Sequence, residues 1–252
     1  MRKWLVRIII AITVMISATI ALLWTPDTNR EDMIAKYGGP QALWAKTSAG
    51  QAIHYRDEGP KDAPALVLVH GSNASLHTWD DWVSRLRTDY RLIRLDLPGH
   101  GISGPHPNAD YSANAMMEAV QAVVQTAAIE SFTLVGSSMG GWVSWRFTLE
   151  HPEKVSKLVL VGGSGPRLPD ASKRKLPLGF RLANTPGLNA LMKKLTPRAL
   201  IERSLRQSIV DPALATTERI DRYWELLRFP GNRQATVDRF TTDREHLSLI
   251  HI

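Results

Sequence analysis

The chain has 252 residues, 44% hydrophobic and 22% charged, enough apolar content for one large α/β domain or two smaller ones and too much for a disordered chain. It contains no cysteine, which excludes disulfides, zinc–thiolate centres and a cysteine nucleophile but leaves the compartment open. The formal charge of +7 comes from Arg2, Lys3 and Arg7 at the start and from a mixed-sign stretch after Pro166. Signs alternate there and no basic–aromatic run accompanies them, so a solvated helical surface is expected and no nucleic-acid partner.

The first predicted element is a membrane segment. Residues 8–26 carry no charge and, with Trp4, Leu5 and Val6, approach the ~20 apolar residues that cross a bilayer. The preceding cations place the N-terminus in the cytoplasm and everything after Trp24 on the far side, with Trp4 and Trp24 suited to the two interfaces. The expectation is a membrane-anchored protein whose remaining chain is periplasmic or extracellular. The alternative is secretion after cleavage of a signal segment with residues 8–18 as its apolar core and Thr19-Ile20-Ala21 as a poor cleavage site.

Residues 25–41 read as a polar linker, after which strands and helices alternate as in a largely parallel sheet. Residues 51–56 read as an edge strand, 65–69 as a buried strand, 79–86 as a helix and 90–95 as another strand. Residues 110–127 form a helix with Met116, Met117, Val120, Val123 and Val124 at apolar spacing, and 131–135 is the strand that follows. A helix over 141–150 and a buried strand over 157–161 complete the core, with no internal repeat or low-complexity tract.

The strand over 131–135 runs into Gly136-Ser137-Ser138-Met139-Gly140-Gly141, a G-x-S-x-G turn that opens a helix. A serine on so sharp a turn has its hydroxyl lifted above the sheet, and glycines at 136 and 140 remove Cβ atoms that would clash. Ser138 is therefore the candidate nucleophile, and the Met139 amide at the helix start a candidate oxyanion donor. Reading the turn as a nucleotide-phosphate loop fails, because it has neither G-x-G-x-x-G nor a following Gly-Lys-Ser/Thr. Two further loops leave strand C-terminal ends, where open α/β sheets place their sites. His70-Gly71-Ser72-Asn73 offers the Ser72 amide as a second oxyanion donor, and Asp96-Leu97-Pro98-Gly99-His100-Gly101 reads as a tight turn.

These three loops, in this order and spacing, resemble the α/β-hydrolase superfamily over residues 45–165. The likeness is greatest to the branch holding esterases, C–C bond hydrolases and haloperoxidase-like enzymes. Ser138 argues against the dehalogenases and epoxide hydrolases of that superfamily, which carry aspartate at the nucleophile position. The resemblance implies a mostly parallel sheet with a helical cap and a serine hydrolase acting through an acyl-enzyme on Ser138. It also implies water as second substrate, a small and apolar acyl substrate, and no metal or organic cofactor. The family's chain order of nucleophile, acid and histidine makes His70, His100 and Asp96 loop-shaping residues rather than triad members.

From Pro166 the chain becomes helices broken by prolines, expected as a cap over 166–245. Leu188, Leu191, Met192, Leu195, Leu200 and Ile201 could line its pocket or simply pack the cap onto the sheet. The resembling family then returns to the sheet with two strands carrying the acid and the histidine, whereas residues 246–252 give only the start of one. His151, His246 and His251 are poor candidates for a fixed base, and Asp170, Asp211, Asp221, Asp238 and Asp243 all fall in the cap-like region. The expectation is a chain whose triad acid and base lie beyond residue 252. An ester hydrolase is the leading reading. C–C bond hydrolysis of a diketone-like compound and a non-catalytic, membrane-tethered binding protein of the same fold are the alternatives.

Overall fold

The computed structural model describes residues 2–163 and 193–246. Helix α1 (Arg2–Leu23) is followed by a one-turn α2 (Arg30–Met33), and the sheet then begins with β1 (Leu43–Lys46) and β2 (Ala52–Glu58). Next come β3 (Ala65–Val69), α3 (Asp80–Leu86), β4 (Arg91–Leu95), α4 (Ala113–Thr126), β5 (Phe132–Ser137), α5 (Met139–Glu150) and β6 (Val155–Val161). Helices α6 (Arg198–Ser208), α7 (Thr217–Leu227) and α8 (Asn232–His246) form the described part of the cap.

The sheet order is β1-β2-β4-β3-β5-β6. The pairs β1–β2 and β2–β4 are antiparallel and the other three parallel. Strand β3 is a continuous apolar run because both its faces are covered, whereas β4 interrupts its apolar residues with Arg91 and Arg94, which pair with Asp57 and Glu58 of β2. One face packs Val67, Val69, Ile93 and Leu95 against Met116, Val120 and Val123 of α4 and Val143 and Phe147 of α5. The other packs Leu66, Leu68 and Leu92 against Trp79 and Val83. Helix α4 begins where the Ser112 hydroxyl accepts from the Ala115 amide at 3.3 Å, three residues later than the apolar spacing implied.

The edge reading for residues 51–56 is corrected, because β1 pairs outside β2 and makes β2 the second strand. With only Ala45 buried in four residues, β1 has too little alternation to show in sequence. The 25–41 segment is not a free linker: after α2 it turns through a π-turn and a 3-10 turn, and Met33 and Tyr37 are buried against Ile102, Leu226 and Phe229. Two apolar side chains in a polar stretch become significant only once those distant partners are in place. The strand over 157–161 exists but is not buried. Among the described residues it pairs only with β5, and Val159, Leu160 and Val161 are 38%, 45% and 39% exposed.

The mixed-sign cap stretch presents a largely exposed helical surface, as expected, and is cross-braced by ion pairs. Arg198 pairs with Asp221 at 2.5 Å, while Arg222 and Arg219 of α7 reach Asp80 and Asp81 at the start of α3, at 2.9 and 3.0 Å. Leu200 is 56% exposed, so it lines no pocket wall among the described residues. Residue 246 is the last of α8, not the first of a strand. Leu188, Leu191, Met192, Asp170 and His251 lie outside the described residues.

Candidate active site

Strand β5 delivers Ser138 to the N-terminus of α5 with φ 51° and ψ −116°, a left-handed conformation that a non-glycine residue adopts only under constraint. Its amide donates to the Val161 carbonyl at 3.1 Å, and its carbonyl accepts from Gly141 and Trp142 at 3.0 and 3.3 Å. The side chain is left exposed above the sheet. Glycine is required on both sides: a Cβ on Gly136 would fall on the Gly140 carbonyl and the Ser144 hydroxyl, and one on Gly140 on the Val69 carbonyl. A Cβ on Gly71 would lie 3.2 Å from the Ser138 Cβ, so the loop after β3 abuts Ser138.

Asp96, at the C-terminal end of β4, organises the neighbouring loops. Its carboxylate accepts from the Leu76 amide at 2.7 Å, the Ile102 amide at 3.1 Å and His54 Nδ1 at 2.8 Å. Burial alone would raise its pKa, but the His54 bond and the amide donors hold the carboxyl well below the usual carboxylate range. His70 is fully buried and uses both ring nitrogens locally: Nδ1 donates to the Gly71 carbonyl at 2.7 Å and Nε2 accepts from the Leu97 amide at 3.0 Å. That pattern fits the neutral imidazole, and burial lowers its pKa accordingly. His100 donates through Nδ1 to the Pro98 carbonyl at 2.9 Å, and its ring lies 5.1 Å from that of His70, tilted by 58°. Burial first, with the neighbouring His70 and the Arg239 guanidinium adding to it, pushes its pKa well below the ordinary value. All three side chains thus hold loops together.

The other candidates are engaged elsewhere. His151 caps the far end of the 12-residue α5, about 18 Å from Ser138 at 1.5 Å per residue. Asp211 accepts from the Ala213 amide, Asp221 pairs with Arg198, and Asp238 accepts from Gln234. Among the described residues no side chain hydrogen-bonds the Ser138 hydroxyl, and no three His, Asp or Glu side chains gather into a metal-holding group.

Ser72 and Met139 are brought together by a residue the motifs did not reveal. The Arg239 guanidinium, on α8 and 4% exposed, contacts both the Ser72 hydroxyl and the Met139 sulfur. A signal existed in the helical spacing of Asn232, Ala235, Thr236 and Arg239, which share one face. Asn232 donates to the Gly101 carbonyl at 2.9 Å and Thr236 to the Asn73 side-chain oxygen at 3.1 Å, so that face covers the loops after β3 and β4.

A constrained, exposed serine between glycines, with a second loop against it, defines a nucleophile elbow on an open α/β sheet. The family model described as alpha/beta hydrolase fold matches residues 64–205, and the chain belongs to that family. An uncharacterized protein of Mycobacterium tuberculosis is 32% identical over 179 residues, 71% of this chain and 50% of that protein. The 2-hydroxy-6-oxononadienedioate/2-hydroxy-6-oxononatrienedioate hydrolase of Escherichia coli is 37% identical over 115 residues, 44% of this chain and 40% of the relative. The chain thus spans half or less of the length of these curated relatives. The crystal structure of Cfl2 from Burkholderia cenocepacia shares the fold with a TM-score of 0.73 at 21% identity, covering 82% of this chain and 72% of that one.

Proposed function

We propose that the protein is a membrane-tethered serine hydrolase that cleaves a carboxylic ester or related acyl substrate through an acyl-enzyme on Ser138. The observation that carries this reading is Ser138 itself, exposed and held left-handed on a turn that tolerates only glycine at 136 and 140. In the first step the Ser138 oxygen bonds to the acyl carbon, and the carbonyl π pair moves to oxygen. The Ser72 and Met139 amides hold that charge, Met139 being the first residue of α5, where the helix ladder leaves N–H groups unsatisfied. The Ser138 O–H bond breaks in this step and its proton departs with the expelled alcohol; water then adds to the acyl carbon, the acid is released and a water proton returns to the Ser138 oxygen. The described residues assign no partner to the serine proton. Helix α1 supports the tether: 18 of its residues, Val6–Leu23, have a mean hydropathy of 2.4 and none is buried. With the cations before it, the catalytic domain lies outside the cytoplasm; secretion after cleavage is the alternative.

The Escherichia coli relative favours a second reading, hydrolysis of a C–C bond in a diketone-like substrate with the same nucleophile. A fluorophosphonate probe applied to membranes carrying the full chain tests both. Labelling that Ser138→Ala abolishes supports an activated serine, and turnover of short-chain nitrophenyl esters against a ring-fission diketone then separates the two chemistries. A folded protein that takes no label favours the non-catalytic binding protein.

A further inference from the structure

We propose that the segment after α1 is a strap that fixes the cap to the membrane, so that the exposed face of α6 and the adjoining basic cleft rest on an anionic bilayer surface. The inference rests on the anchor reading of α1 and adds to it the face that the domain presents to lipid.

The tether is short. Helix α1 ends at Leu23, and only two residues later Thr25 is fixed to the cap: its amide donates to the Lys194 carbonyl at 2.8 Å, and its hydroxyl accepts from the Thr196 amide at 2.9 Å. Two residues reach at most about 7 Å, so a bilayer spanned by α1 has its surface at the Lys194–Thr196 segment. Trp24, half exposed, stands at the junction, where an aromatic ring suits the interface.

The strap is then held by two buried arginines of the cap. Arg233, 6% exposed, donates to the Thr25 carbonyl at 2.8 Å and to Asp27 at 2.6 Å. Arg228, 9% exposed, donates to the Pro26 carbonyl at 3.2 Å. Further along, Tyr37 donates to Glu225 at 2.8 Å and Met33 packs on Leu226 and Phe229. With buried cations and an apolar cluster on the same stretch, the cap cannot swing freely about residue 25.

What this places at the lipid has the matching chemistry. A cleft of about 330 Å³ beside the strap is lined by Lys193, Lys194 and Arg233, with Asp27 as its acidic member. Residues 193–214 carry five cations and two carboxylates. On α6 the side chains of Leu200, Arg203, Ser204 and Gln207 share one exposed face, opposite the buried Leu205. Leu200 is 56% exposed, and Val210 and Leu214 beyond the helix are 104% and 49% exposed. Apolar side chains among basic ones fit a surface that offers acyl chains below and phosphates above.

The absence of cysteine makes the test direct. Full-length Leu200→Cys and Val210→Cys, and Lys61→Cys and Glu153→Cys as controls on strand-N-terminal loops, are labelled with an environment-sensitive fluorophore. They are reconstituted in phosphatidylcholine vesicles with and without phosphatidylglycerol. The expected result is several-fold stronger quenching by lipid-borne nitroxide at 200 and 210 than at 61 and 153, increased by phosphatidylglycerol and reduced in Lys193→Glu/Lys194→Glu. Labels at 200 and 210 as open to aqueous iodide as the controls, in a chain that alkaline extraction leaves in the membrane, would overturn the docking face alone. Loss of the chain from the membrane on extraction would overturn the anchor with it. Asp27→Ala, which leaves the cleft cations in place, should weaken quenching at 200 while the chain stays in the membrane; unchanged quenching would overturn the strap.

Discussion

Two buried ionic clips of opposite sign hold this molecule together, one at the loops after β3 and β4 and one between the cap and the segment after α1. Around the elbow a single carboxylate, Asp96, gathers two backbone amides and His54 from three separate stretches of chain. At the cap the charges are reversed, and the guanidiniums of Arg228 and Arg233 gather carbonyls and the Asp27 carboxylate from the membrane-proximal segment. Loops and straps have no periodic apolar face, so a buried charge whose partners converge from several segments is an economical way to fix them. The two clips differ in exposure. Asp96 is 1% exposed, whereas Asp27 is 38% exposed in its side chain, so water can replace part of what Asp27 supplies but none of what Asp96 does.

The largest effect is expected at Ser138, on the turn beside the first of these clips. Ser138→Ala should abolish fluorophosphonate labelling and lower any hydrolytic rate at least about 10³-fold while leaving the melting temperature close to wild type, because only the hydroxyl is lost. An unfolded variant would instead mean that Ser138 is a structural turn residue. Asp96→Asn should come next, destabilising the fold by about 3 kcal/mol in urea titrations, since the buried amide donors and His54 lose their charged acceptor. The pH profile sharpens that claim. Because the folded pKa of Asp96 is depressed, its contribution is fully present above the unfolded carboxylate value of about 4 and is lost as pH falls below it. Wild-type stability should therefore fall below about pH 4 more steeply than that of Asp96→Asn, and parallel slopes would remove Asp96 from the role.

Gly140→Ala should cost about 2–3 kcal/mol by thermal melting, because the new Cβ meets backbone at Val69 rather than a yielding side chain. The smallest change is expected at the outer clip. Asp27→Ala should cost only about 1 kcal/mol, because its carboxylate is partly solvated and Arg233 keeps the Thr25 carbonyl. Its distinctive sign is faster amide exchange at Thr28 and Met33 with the elbow region unchanged. A global loss of protection would show that the two clips are one cooperative unit.

Much of the Ser138 turn was legible beforehand, because its devices are local in sequence. The glycines at 136 and 140 announce a tight turn wherever they fall between an apolar strand and a helix, and the structure shows the overlap that each avoids. The order of β3, β4, β5 and β6 likewise follows from short apolar runs. Less legible were elements whose meaning depends on distant partners. Strand β1 has one buried residue, and the 25–41 stretch buries Met33 and Tyr37 only against Ile102 and the cap. Arg239 looked like one basic residue among many until the stripe from Asn232 aligned it with Ser72 and Met139.

The sequence by itself determined the strained turn at Ser138, its glycine surroundings, the parallel core strands and an apolar N-terminal helix, because a strained turn and a continuous apolar run are written within a few neighbouring residues. The tertiary structure alone decided which strand lies at the edge, that β6 is exposed, that Asp96 acts as a hub and that buried arginines strap the cap to the segment after α1. Those depend on which distant groups satisfy a buried charge or cover a face, and local periodicity carries no record of a partner two hundred residues away.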